Sequence, residues 1–311
     1  MKKLLFLSVL MLMALLSSTV FGQNSGTAIK PSIGDVFTYH VNSHSGNTYS
    51  WTLQTDLNVG GTDLFAASDP IATNAGTNSS NITITWVKPS TTTIYYLHVV
   101  ETKGSCSNHK VLAIQPVNNF KLDIANVDNA GNLMTGTNSV TYSTCAPTIN
   151  SISWNSSAPV SESNAKDFSY NYDKVVFYYK ITASGINFSN TSWTPNIAVT
   201  QTNAANAVVT IDTQVGETLG STWDTTPILT KVSSNEPTIP AGSGKSVIWV
   251  RITVDNKNGT PSTANENITS SDFVIKLNSA KDQYNNPAVS LGNITTTQTQ
   301  LARPDTGDIS Y

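Results

Sequence analysis

The chain has 311 residues, 12% of them charged and 39% hydrophobic, with a formal net charge of −3. With Arg251 and Arg303 as its only arginines it lacks the basic surface that a nucleic-acid partner requires. Tryptophans at 51, 86, 154, 193, 223 and 249, together with the low net charge, argue against disorder, and the length suits two domains at about 100–200 residues each.

Lys2 and Lys3, the apolar run LLFLSVLMLMALL and the small residues Ser17 and Ser18 form a secretory signal peptide over residues 1–22, so Gln23 is the expected mature start. The apolar run is shorter than the ~20 residues of a spanning helix, which disfavours an uncleaved anchor. No cysteine follows the run to carry a lipid, and no later segment is apolar enough to span a bilayer. Residues 23–30 are a short N-terminal segment.

From residue 31 the pattern alternates with a period of two. Phe37, Tyr39 and Val41 oppose Thr38 and His40; Tyr49, Trp51 and Leu53 follow the turn-like Ser45-Gly46-Asn47. Ile82, Ile84 and Trp86 share a face, Pro89 and Ser90 interrupt, and Tyr95, Leu97 and Val99 resume, which is a β-hairpin; Val111 to Gln115 adds a last short strand. Residues 31–116 therefore predict an antiparallel β-sandwich of immunoglobulin-like size.

The Tyr-x-Trp of Tyr49 to Trp51, the Gly76-Thr77-Asn78 loop, the Ile-x-Ile-x-Trp of Ile82 to Trp86 and the Gly-x-Cys of Gly104 to Cys106 resemble PKD-like immunoglobulin-fold repeats, which are common in exported proteins of Bacteroidota, including gliding-motility and type IX secretion associated surface proteins. Such repeats usually place Gly directly before Cys, so the spacing here departs from theirs. The resemblance covers only residues 31–116 and implies a spacer or adhesive module with no catalytic residue to carry over.

Residues 120–300 show no second copy of that signature and predict a second, larger all-β domain. Its clearest strand sets Ile248, Val250, Ile252 and Val254 against Val247, Trp249, Arg251 and Thr253; Phe120 to Ile124, Ile149 to Trp154, Val175 to Thr182, Ala207 to Ile211 and Phe273 to Leu277 are further strands. Gly and Pro are spread throughout without clustering into a linker, so one sandwich is favoured over two. Residues 301–311 form a C-terminal tail too short for a separate type IX sorting domain, which leaves the periplasm, the outer membrane or the cell surface as the expected location.

Cys106 and Cys145 are the only cysteines. An even count in an exported chain points to a disulfide between them, closing a loop of about 40 residues and stabilising the fold by about 3–4 kcal/mol through lost chain entropy; free thiols and pairing to another chain are the alternatives.

Chemistry-bearing motifs are weak. Gly242-Ser243-Gly244-Lys245-Ser246 ends like a phosphate-binding loop, but Ile239 stands where the first Gly is needed and a strand follows instead of a helix. His40 and His44 on an extended segment lie about 13 Å apart, and with only His98 and His109 besides, no metal site is expected. In Asp255-Asn256-Lys257-Asn258-Gly259 a lysine takes the place of an oxygen ligand, which makes a hairpin turn of what first reads as a calcium loop; Val127 to Asn132 is a similar turn. No G-x-S-x-G or H-E-x-x-H occurs. No catalytic, metal or cofactor residue is assigned, and no cofactor is expected.

The expected function is a non-catalytic exported envelope or cell-surface module for protein–protein assembly or adhesion, linked through the resemblance to gliding and type IX secretion. A carbohydrate-binding protein is the first alternative, with Trp193 and Trp223 as ligand-contact aromatics because Thr, Ser and Pro flank them. A carboxylate-dependent hydrolase is the second, since its two acids need only spatial proximity. The expected partner is an envelope or surface protein, or a glycan in the first alternative.

Overall fold

The computed structural model describes residues 28–58, 60–67, 70–154, 168–202, 208–215, 219, 223, 234–235, 244–256, 258–259 and 269–304. The expected signal peptide, most of the 23–30 segment, Gly242, Ser243 and Lys257 of the two turn motifs, and 305–311 of the tail lie outside the described residues. Over the described residues the chain forms two compact units, one of residues 28–31, 37–84 and 90–116, the other of 32–36, 85–89 and 117–304.

Strands β1 (Val36–His40), β2 (Thr48–Gln54), β3 (Ala72–Ala75), β4 (Asn81–Trp86), β5 (Tyr95–Lys103) and β6 (Cys106–Ile114) form two three-stranded sheets, β1-β4-β3 and β2-β5-β6. That strand order is the B-E-D and C-F-G arrangement of an immunoglobulin-like sandwich. The alternation follows the pleat: Ile82, Ile84 and Trp86 are fully buried, as are Leu53 and Leu97 on the other sheet, while intervening threonines face out. The last strand is longer than Val111 to Gln115, because the tight turn at Gly104 (φ 60°) lets β6 pair with β5 from Cys106 onward. Ile29 bridges Ile114 in parallel, so the chain entering the sandwich already occupies the far end of the β6 edge.

The second unit holds β7 (Lys121–Val127), β8 (Thr141–Cys145), β9 (Ile149–Trp154), β10 (Phe168–Tyr172), β11 (Lys174–Ser184), β12 (Trp193–Gln201), β13 (Val208–Val215), β14 (Ser234–Asn235), β15 (Val247–Asp255), β16 (Asn258–Gly259), β17 (Ser271–Asp282), β18 (Ser290–Leu291) and β19 (Thr295–Leu301). Two five-stranded sheets, β13-β15-β11-β7-β18 and β14-β12-β17-β19-β8, share one apolar core. Phe120, Leu122, Ile124, Phe177, Tyr179, Ile181 and alternate residues of β15 meet Trp193, Ile197, Val199, Phe273, Ile275 and Leu277 in it. A three-stranded ribbon, β16-β10-β9, continues beyond the sandwich.

Two loops of the second unit repeat one device. Asp128 accepts hydrogen bonds from the backbone N–H groups of Ala130 and Asn132 and from Asn132 Nδ2, and Asp282 does the same for Tyr284, Asn286 and Asn286 Nδ2. The first loop is the turn expected at Val127 to Asn132. These donors, the Asn132 side chain foremost, hold the Asp128 carboxyl below its ordinary value, whereas burial lifts that of Asp282.

Candidate functional site

Cys106 opens β6 in the first unit and Cys145 ends β8 in the second. Both are exposed free thiols, so the expected disulfide is not formed in this structure. Sequence spacing carries no information on whether two Cα atoms come within the 4.4–6.8 Å, approximately, that a bridge needs.

The two candidate aromatics part company. Trp193 is a core residue, 1% exposed, edge-on to Phe120 at 6.4 Å with its indole N–H donating to the Lys245 carbonyl at 3.0 Å. It begins β12, a strand that the polar flanks and Pro195 disguise, and it is not available to stack on a ligand. Trp223 is half-buried; the Arg251 guanidinium sits 4.5 Å from its ring centroid and Tyr178 lies 6.3 Å away. The pair packs on Val127, Val247 and Trp249, so one ring face of Trp223 is spent on a cation–π contact.

The tryptophan with an open ring is instead Trp154, 54% exposed at the end of β9. Ile149 and Ile152 on the same strand are also exposed, and all six residues of β9 face solvent. In the ladder Ile152 pairs with Tyr170 and Ile149 with Tyr172, which places these side chains on one face. Tyr170 and Tyr172 stack at 5.9 Å, and Arg303, whose guanidinium donates to the Pro147 carbonyl, lies 3.9 Å over the Tyr172 ring. Apolar alternation marked this segment as a strand; whether its apolar side would be covered is a tertiary property that alternation does not contain.

In the first unit a pocket of about 340 Å³ is lined by Val41, Asn42, His44, Val99, Glu101, Asn108 and Lys110. Glu101 Oε1 accepts from Asn47 Nδ2 and His44 Nδ1, each at 2.6 Å, and from the Tyr49 hydroxyl at 3.1 Å. These bonds, that of Asn47 first and that of His44 next, hold its carboxyl below the ordinary value. A histidine oriented by a carboxylate is two-thirds of an acyl-transfer triad. No serine, threonine or cysteine is among the described lining residues, and Glu101 is their one carboxylate. The three bonds to Glu101 tie the 42–49 loop to β5, which is a structural role.

The other histidines do not join it. His98 is buried and its Nε2–H donates to the Asp56 carbonyl at 2.9 Å; its Nδ1 then accepts from His109 Nε2–H at 2.8 Å, the rings lying parallel at 5.0 Å. Among the described residues no group of three His, Cys, Asp or Glu could hold a metal ion. At the second turn motif Asn256 is fully buried and bonds the Asp173 carbonyl and Gln300, acting as a structural bracket. No described helix is long and apolar enough to cross a membrane.

No protein-family model matches the chain, and no curated protein does. Among solved structures, the titin domains Z1Z2 in complex with telethonin are 10% identical, with 90% of this chain and 93% of that chain covered and a TM-score of 0.33. BcpA, the major pilin subunit of Bacillus cereus, is 10% identical over 90% and 69% of the two chains at a TM-score of 0.29, and the four N-terminal Ig domains of Dscam1 are 6% identical over 88% and 42% at 0.24. At these TM-scores the all-β, immunoglobulin-like assignment rests on the chain's own strand order.

Proposed function

We propose that the chain is a non-catalytic exported module that presents β-sheet surface to an envelope or cell-surface protein, for assembly or adhesion. The observation that carries this reading is the β9 edge. Six consecutive strand residues without a charge, three of them large and apolar, lie at the edge of their sheet among the described residues and offer backbone groups and an apolar side at the same place. A protein that adds a strand there gains ladder hydrogen bonds and covers Ile152 and Trp154 together. Against the hydrolase reading, the described lining residues of the cavities of about 340 Å³ and 460 Å³ carry one carboxylate each, Glu101 in the first and Asp123 in the second. A link to gliding or type IX secretion belongs to this proposal through the sequence resemblance alone.

Crosslinking in the native envelope, with the crosslinked peptides mapped, tests it. The expected result is a defined partner protein linked to residues 149–154 and lost in Ile152→Lys, with an unchanged far-ultraviolet spectrum. Turnover of glycosidase or esterase substrates, with no protein linked to β9, would overturn it.

A further inference from the structure

A groove of about 460 Å³ crosses the outer face of the first five-stranded sheet in the second unit, within the ~300–1,000 Å³ range of small-ligand sites. Its floor is a cross-strand row: Lys121 pairs with Ser184, Asp123 with Thr182 and Ala125 with Lys180, so these side chains share the face opposite to the buried Leu122, Ile124, Ile181 and Ala183. Leu133 and Met134 form one wall and Ser290 to Asn293 the other.

Three features of the floor and walls are unspent by the fold. Neither Lys121 nor Lys180 has an ion-pair partner among the described residues, although Lys180 rests over Trp249 at 5.2 Å. The single carboxylate, Asp123, is engaged: its Oδ1 accepts the Asn293 N–H at 2.7 Å. The hydroxyls of Thr182, Ser184 and Ser290 make no hydrogen bond among the described residues. Beside them Leu133 is 57% exposed, an apolar rim on a polar groove.

We propose that this groove binds an acidic saccharide. A sugar ring has an apolar C–H face and a rim of hydroxyls, which match Leu133 and Met134 on one side and the three free hydroxyls on the other. Two ammonium groups against one committed carboxylate leave the groove cationic on a molecule of net charge −3, which selects a carboxylate or sulfate substituent over a neutral sugar. An extended acidic peptide fits less well. It would seek unpaired backbone, whereas β7 is flanked by β11 and β18, and the wall beyond it is closed by the Met134 N–H to Asn126 carbonyl bond. This site is independent of the β9 edge and does not rest on the assembly reading.

The test is calorimetric and NMR titration of the mature protein with trigalacturonate, a sulfated galactose trisaccharide, maltotriose and hexaglutamate. Saturable binding of either acidic sugar, with amide shifts at Thr182, Ser184 and Ser290, is expected. Lys121→Gln should weaken it about tenfold, the loss of one charge-assisted contact, and Lys180→Arg should preserve it. Equal binding of maltotriose, equal or tighter binding of hexaglutamate, indifference to Lys121→Gln in a protein of unchanged melting temperature, or no binding of either acidic sugar would each overturn the proposal.

Discussion

The His98–His109 pair shows how a single residue reports its surroundings. Burial, and then the neighbouring His98, hold the His109 imidazole below its ordinary value of 6.5. The unfolded chain therefore takes up a proton near that value which the folded chain refuses, so stability is complete above it and declines as pH falls through the window down to the lowered folded value. Glu101 acts in the same direction further down, its stabilisation present above 4.5 and lost as pH falls through its own lowered value. The expected outcome is a melting temperature that drops from about pH 7 to about pH 5, a drop that His109→Gln flattens because no titrating group remains at that position. An unchanged slope in the variant would assign the effect elsewhere. None of this was legible in the sequence, where His98 stands at an outward position of an alternating strand; the 55–58 turn that covers it comes from a distant part of the chain.

At the scale of elements, β19 is the instructive strand. Thr295–Leu301 reads TTTQTQL and has no apolar alternation to count, yet it lies between β17 and β8 inside the sheet. Its alternate residues Thr296, Gln298 and Gln300 are buried, and each finds an acceptor for a side-chain donor: Thr296 Oγ1 donates to Asn126 Oδ1 at 2.7 Å, Gln298 Nε2 to the Tyr178 carbonyl at 2.7 Å and Gln300 Nε2 to Asn256 Oδ1 at 3.0 Å, while the Gln300 amide oxygen has no partner among the described residues. Such a polar seam is stable because its buried donors find acceptors. Gln298→Ala removes a donor and leaves a gap, at an expected cost of about 1–3 kcal/mol. The melting temperature of the second unit should fall by about 2–4 °C per kcal/mol, and a variant as stable as the parent would refute the seam's role. The contrast with β15 is direct: there four consecutive buried residues, Val247 to Val250, announced the strand in their composition.

For the whole molecule the question is whether its parts are stapled. Cys106 and Cys145 stand as exposed thiols in separate units. Both are expected to react with an alkylating reagent in the absence of denaturant. Recovery of a linked Cys106–Cys145 peptide under non-reducing digestion would instead support the disulfide read from the cysteine count. The pairing is a distance between two chain positions about 40 residues apart, and composition cannot set that distance.

Period-two alternation in the sequence by itself determined the all-β class and most of the strands, because a pleated strand with one buried face must place apolar residues on every second position. Only the tertiary structure decided which apolar side chains would be covered. Trp193 went into the core and Trp154 to the surface although both lie among polar neighbours, because burial depends on which sheet lies opposite. The same holds for the groove between Lys121 and Lys180: 59 positions separate the two lysines in the chain, and the β7–β11 register places them on the floor of one cavity.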